Sequence, residues 1–351
     1  MMDLKELGVK PFGGREDFMR PEATVTRRGA VLLGKYVACD GLSETRPLRV
    51  ITHAHSDHLS GLRTSLKRAE SVIMTPATRD LINVIENPFS LVEESVRTLE
   101  YNESFEYETD EITLHYSDHI LGAAQVLVED EEGTRILFTG DFRIPYTPII
   151  PADVLVIEAT YGNPHRVRPF QSEVKNVLIS LVEEAVKQGP VYLFGYHGKI
   201  QEVMQILHEA KVDVPFIMPR KILRISKVCE KHGMSFGRHL LLSSSEEAQS
   251  MMRHGHSFLG FHHMASRRHF NGDGFRIYVS GWEFSGPCRR IGNNEFRVAL
   301  SSHSDFYGLL QYVEGSRPSM VITDNHRGGD AVVLAQEIRR RLKIPAEPLP
   351  R

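Results

Sequence analysis

Residues 51–62 read ITHAHSDHLSGL. Three histidines and an aspartate, His53, His55, Asp57 and His58, fall within six consecutive positions. They follow a β-branched run, LRVIT (48–52), so the apolar-to-polar switch places them where a buried strand leaves its sheet, a common position for a functional site. In an extended segment alternate side chains share a face. His53 and His55 can therefore point the same way, while Asp57 and His58 can turn toward a second position. Imidazoles mixed with carboxylate suit zinc, manganese or iron, and several histidines together favour zinc.

Two further ligand types follow later strands. His119 lies in YSDHILGAA, just after ITLHY (112–116), and Asp141 lies in LFTGDFR, just after RILFT (135–139). Alone, His119 is an ordinary loop histidine and Asp141 a turn former behind Gly140. With the upstream HxHxDH pattern they make a set gathered at strand ends, in which the Asp141 carboxylate can bridge two cations as a neutral imidazole cannot readily do.

The surrounding chain is α/β. Short apolar runs at 48–52, 71–75, 112–116, 135–139, 153–159, 190–195, 276–280 and 319–323 read as strands, and runs apolar on both faces belong to sheets covered by helices. A helix is expected over 172–188, with Ser172 as N-cap, apolar residues from Val174 to Ala185 at helical spacing, and Gly189-Pro190 as its stop. Others are expected from near Lys199 and over 330–342. Between about 208 and 275 the texture changes to dense His, Arg, Ser and Met, as in MMRHGHSFLGFHHMASRRHF (251–270), which suggests a separate module inside the chain.

Composition narrows the function classes. With 351 residues, 41% of them hydrophobic and a net charge of −3, the chain can bury a full core but is no generic polycation, so contact with nucleic acid would need a local basic surface or bound metal. Cys39, Cys229 and Cys288 are far apart and form no CxxC, which excludes a readable disulfide framework or thiolate zinc site. There is no apolar leader in MMDLKELGVKPFGGRED and no run of membrane-spanning length. A cytoplasmic protein without a membrane partner is expected.

THAHSDH, His119 and the Asp141 of TGD resemble the metallo-β-lactamase superfamily. The resemblance implies an αβ/βα sandwich with metals at one edge, His53, His55 and His119 on one metal, Asp57 and His58 on the other, Asp141 between them, and Asp40 as a structural aspartate nearby. The second half narrows the branch. VIEATYGNPHRVRPF (156–170), GYHGKIQEVMQIL (195–207), VSGWEFSG (279–286) and SSHSDFYGLLQYV (301–313) resemble, in order and spacing, the β-CASP nucleases, most of all the DNA-crosslink-repair and Artemis nucleases and the bacterial ligase-associated exonucleases. That implies a metallo-β-lactamase domain in two parts, 1–163 and 300–351, around a smaller α/β β-CASP insert over 164–299.

Carried over by position, Glu158 and His303 form the catalytic pair. A carboxylate beside an imidazole raises the imidazole's pKa, and the cation so formed can protonate a leaving oxygen. Lys199, at a helix start, is a candidate phosphate contact, as are Arg267, Arg268, Arg289 and Arg290 of the insert. His254, His256, His262, His263 and His269 show no ligand spacing. The family's last ligand falls at Asn325, with a histidine one position later, and either Asn325 stands there or His326 completes the second metal site. Two divalent ions are implied, zinc first, with manganese or iron as alternatives. The implied activity is phosphodiester hydrolysis of DNA by a 5′ to 3′ exonuclease of repair type. A ribonuclease in RNA processing comes second and a thioester or lactone hydrolase third.

Overall fold

The computed structural model describes residues 23–86, 95–237 and 239–351; residues 1–22, which open the expected first segment, lie outside the described residues. Three sheets organise the described residues. The first runs in order β1 (Ala23–Val25), β2 (Val31–Leu33), β3 (Val37–Cys39), β4 (Leu48–Val50), β5 (Ser71–Met74) and β6 (Val96–Thr98). The second contains β7 (Ser104–Tyr107), β8 (Asp110–Tyr116), β9 (Ala124–Glu129), β10 (Arg135–Phe138) and β11 (Val154–Ile157), and continues through β19 (Met320–Asp324) to β20 (Ala346–Leu349). Val31, Val37, Val50 and Ile73 of the first sheet face Ile112, Val126, Ile136 and Phe138 of the second in one shared core. The outer face of the second sheet is covered by α7 (Phe306–Ser316) and α8 (Ala331–Leu342) through Leu309, Val313, Leu334 and Ile338.

The third sheet uses only residues between β12 (Val191–Gly195) and β18 (Glu295–Val298), in the order β14 (Leu240–Leu242), β13 (Phe216–Met218), β15 (Leu259–His263), β12, β16 (Phe275–Val279), β18 and β17 (Cys288–Arg290). Only β17 runs antiparallel to its neighbour. Both faces are buried, as a nearly all-parallel sheet requires. Val191 and Leu193 enter the core shared with α3 (Val174–Val186) and α4 (Lys199–Glu209), while Tyr192 and Phe194 enter a second cluster on the opposite face.

The helix expected over 172–188 begins two residues later. A 3-10 turn, Gln171–Glu173, leads into α3, and no side chain caps it, Ser172 included. Its apolar stripe, Val174, Leu178, Val182 and Ala185, packs as spaced.

The core under the third sheet does not stop at the sheet. It includes Ile51, Leu62, Leu81, Ile82 and Ile120 from the first part of the chain beside Val203, Met204 and Ile225. Each such side chain contributes about 1.5–3 kcal/mol on burial. Where α2 (Pro76–Ile85) meets α5 (Arg220–Lys231), Asp80 also receives Lys231 Nζ at 2.7 Å and His232 Nε2 at 2.8 Å. Such partly exposed pairs add about 0–1 kcal/mol, so apolar burial dominates the joint. The walls of any cleft between the two parts are thereby fixed. Among the described residues no helix is long and apolar enough to cross a membrane.

Candidate metal centre and active site

The loop after β4 delivers the first candidate ligands. His53 Nε2 and His55 Nδ1 lie 3.1 Å apart, and His119 Nε2, from the loop after β8, lies 3.0 Å from His55 Nδ1. Asp141 Oδ2 stands 3.5 to 3.7 Å from His119, His53 and His58 Nε2. Gly140 turns with φ +54°, and an added Cβ would meet the Ala124 carbonyl at 3.0 Å, so only glycine turns the chain here without strain. Burial holds His53 and His55 well below the ordinary histidine range and His119 down to about 3. Held neutral, these imidazoles offer ring nitrogens that lie, with an Asp141 oxygen, within 4.8 Å of one another. Tetrahedral ligands at zinc–nitrogen bond lengths sit about 3.3 Å apart, which the spacing nearly reproduces.

His58 marks a second position. Burial opposes its charge, but Asp141 and Asp40 outweigh burial and push it up to about 10. Its Nε2 is buried without a hydrogen-bond partner, 3.5 Å from Asp141 and 3.6 Å from Asp57, whose carboxylate is 58% exposed. A buried orphan nitrogen beside two carboxylates fits a cation. The donor set and its electrostatics therefore suit divalent metal ions at both positions.

Each imidazole is also held from behind, the outer layer that orients metal ligands. His58 Nδ1 donates to Asp40 Oδ2 at 2.7 Å. His53 Nδ1 lies 3.0 Å from Thr52 Oγ1, which donates to Asp40. His119 Nδ1 donates to the Ser302 carbonyl at 2.9 Å, and His55 Nε2 to the His197 carbonyl at 3.3 Å. His197 Nε2 in turn donates to the Ala54 carbonyl. The third-sheet module therefore reaches directly into the ligand loop.

Glu158 follows β11 and accepts the Phe142 N–H at 2.8 Å; His303 Nδ1 lies 2.9 Å from its other oxygen. Burial disfavours a charged His303, but Glu158 and Asp141 prevail and raise it. The α7 cap is Asp305, whose side chain accepts the Gly308 N–H. His303 is thus left for the site rather than spent on the helix. In the GKxQ segment, the Gln201 side chain accepts the Gly198 N–H and so closes the start of α4. Gly198 has φ +84°, and a Cβ there would strike Ile120 at 2.2 Å. This backbone contact brings Lys199 to the edge of the cleft.

The cleft, of about 800 Å³, is lined by His55, Asp57 and His303 at its base and by Lys199, Arg267, Arg268 and Arg297 among its walls. Arg289 and Arg290 are not in that lining. Arg289 pairs with Glu283 at 3.0 Å, and Arg290 donates to the carbonyls of Gly292 and Asn293. His326 is not gathered with the ligand atoms: its ring lies against Gly29, where a Cβ would come within 2.3 Å of it. Asn325 turns outward to the Pro350 carbonyl.

One residue invisible to motif reading ties these parts together. Arg143 donates to Asp118 at 2.7 Å, to Glu202 on α4 at 2.9 Å and to the Ser301 carbonyl at 2.8 Å. It thereby joins the loops of His119, Asp141 and His303 to the helix of Lys199. Arg143→Lys, whose single ammonium nitrogen cannot replace the two spaced guanidinium nitrogens, is expected to weaken metal affinity and kcat by roughly 10–100-fold. Competition with a chromogenic chelator and steady-state kinetics measure the two; unchanged values would remove Arg143 from this role.

Comparison with known proteins places the chain. Residues 42–191 match the family model described as a β-lactamase superfamily domain. An uncharacterized protein in the lig 3′ region of Acidianus ambivalens is 38% identical over 138 residues, covering 39% of this chain and 99% of that protein. A probable DNA ligase of Opitutus terrae is 27% identical over 305 residues, covering 83% of this chain and 28% of that protein. The probable RNase MJ4 of Methanocaldococcus jannaschii is 27% identical over 228 residues, covering 56% and 52% respectively. The chain thus spans nearly all of the first relative but only a quarter to a half of the other two. The fold of this family implies divalent metals, for which the His and Asp cluster supplies the donors. With its third-sheet module beside the ligand loops, the chain belongs to the metallo-β-lactamase superfamily, in its β-CASP branch.

Proposed function

We propose that the chain is a nuclease that hydrolyses DNA phosphodiesters with two divalent metals, zinc first among them, and acts as a 5′ to 3′ exonuclease in repair. The observation that carries this is the cleft: neutral imidazoles and carboxylates at its base, with a lysine, arginines and exposed aromatic rings around them. A thioester or lactone hydrolase needs no inserted third-sheet module, which counts against that reading. When bound, the metals supply Lewis-acid activation of water and neutralise charge on the phosphate. His53, His55 and His119 would hold one ion and Asp57 and His58 the other, with Asp141 shared. His303, kept protonated by Glu158, donates its proton to the leaving oxygen.

DNA is favoured by the match to a probable DNA ligase, which spans 83% of the chain. The second reading, a ribonuclease, is favoured by the match to a probable RNase over 56%. Metal-reconstituted protein assayed on matched 5′-labelled single-stranded DNA and RNA, with His53→Ala as control, decides between them. Cleavage of DNA from the 5′ end is expected. Preference for RNA would make the chain a ribonuclease, and cleavage of neither would end the nuclease proposal.

Lys199 makes substrate binding pH-dependent. Burial pushes its ammonium down to about 8, against Glu202. The group is cationic below that value and loses its charge as pH rises through it, about two units earlier than a solvated lysine. KM for the oligonucleotide should therefore rise between roughly pH 7.5 and 9, and Lys199→Arg should flatten the rise, since guanidinium stays charged. An unchanged profile in the variant would remove Lys199 from phosphate binding.

A further inference from the structure

Trp282 is the only tryptophan in the chain, and it is 55% exposed on the wall of the cleft. An aromatic ring this large gains much by burial, so its exposure beside a polar site calls for an occupant. Nor is the ring loosely hung. Its ring stands edge-on to Tyr161 at 5.2 Å, the Arg166 guanidinium lies 5.5 Å from its centroid, and the Trp282 backbone N–H donates to Ser280 Oγ at 3.1 Å. Tyr161 is itself fixed, with its hydroxyl donating to the Gly281 carbonyl at 2.6 Å and Arg168 lying 4.7 Å from its ring. Tyr161 also meets the His303 ring, at 5.8 Å between centroids. Also lining the cleft is Tyr196, likewise 55% exposed, with its ring against His263.

Resting on the nuclease reading above, we infer that Trp282 is a stacking platform for an unpaired nucleobase flanking the cleaved phosphate, with Tyr196 as a second aromatic contact. The ligand of this wall is therefore single-stranded nucleic acid. Arg166 occupies one side of the indole and leaves its exposed surface for a base. Bases inside a duplex already have both faces covered by their neighbours, so a paired strand has none to offer. Stacking of a base on an aromatic side chain contributes about 1–3 kcal/mol and tolerates any sequence, while the nearby Lys199, Arg267 and Arg268 would follow the backbone charge.

A single tryptophan makes the test direct. His303→Ala protein, which keeps His53, His55, Asp57, His58, His119 and Asp141, is titrated with a short single-stranded deoxyoligonucleotide while tryptophan emission and the anisotropy of an end label are followed together. Quenching that saturates with the anisotropy is expected, as is its loss when an abasic residue replaces one particular nucleotide. A duplex closed at both ends by non-nucleotide linkers should bind without quenching. In otherwise wild-type protein, Trp282→Ala should raise KM about tenfold or more with a smaller change in kcat, and Trp282→Phe should retain most of the affinity. Binding of the single strand without a change in emission, equal quenching by the closed duplex, or a Trp282→Ala KM within about twofold of wild type would each overturn the platform while leaving the nuclease reading intact. A wild-type protein that neither binds nor cleaves the oligonucleotide would overturn both.

Discussion

Replacing His119 by alanine is expected to lower affinity for the first metal, and kcat/KM with it, on the order of 10³-fold or more, about 4 kcal/mol. Loss of an outer-layer partner costs 10–100-fold, and removal of a direct ligand must exceed that. The metal-free protein should tolerate the change. His119 is held neutral, at about 3, by burial against the pull of Asp141, so no charge is lost, and the main cost is an unpaired Ser302 carbonyl, about 1–3 kcal/mol. Thermal melting separates the two effects. A bound ion at a thousand times its Kd stabilises by about 4 kcal/mol, so wild type should melt higher with zinc than with chelator, and His119→Ala should lose the part of that rise due to the first metal. A variant that keeps its metal through dialysis and its activity would remove His119 from the ligand set.

The second large effect separates chemistry from metal binding. His303→Ala should lower kcat by 10²–10⁴-fold, the usual contribution of a positioned general acid, with metal content unchanged. Glu158→Gln should cost less, roughly 10–100-fold. Its carbonyl can still accept from Phe142 N–H or His303, as the carboxylate does now, but the charge that favours imidazolium is gone. Single-turnover rates beside metal analysis read both. Unchanged kcat in His303→Ala would contradict the assigned role. Loss of metal would make the residue a ligand instead, since Asp141, Glu158 and His303 also offer donor atoms within 4.8 Å of one another.

The strands and ligands legible in the sequence are those with a local signature. Strong apolar runs give β4, β5, β8, β10, β11, β12, β16 and β19, and the residues immediately after β4, β10 and β11 include His53, Asp141 and Glu158. β1, β2 and β3 have three residues each, too few for a period to register. The Thr75 cap and first-turn proline of α2 were readable signals that the apolar run before them masked. What escaped at the site is long-range. Arg143 meets Ser301 across 158 positions and His55 meets His197 across 142; neither leaves a motif. The arginines divide for the same reason. Arg267 and Arg268 line the cleft, whereas Arg289, on strand β17, pairs with Glu283, and composition alone cannot say which face of a module a charge occupies. The place of His326 is long-range too: its ring lies against Gly29, a glycine at φ +81° almost 300 positions earlier.

The central claim is that the His and Asp cluster is a metal centre that cuts nucleic acid. Its most direct test is to strip the protein with chelator, then titrate zinc back while measuring bound metal and cleavage of a 5′-labelled single-stranded DNA in the same samples, wild type beside His53→Ala. Stripped protein should be inactive, and cleavage should return in step with bound metal in wild type alone. Cleavage by the stripped protein, or undiminished cleavage by His53→Ala, would contradict it.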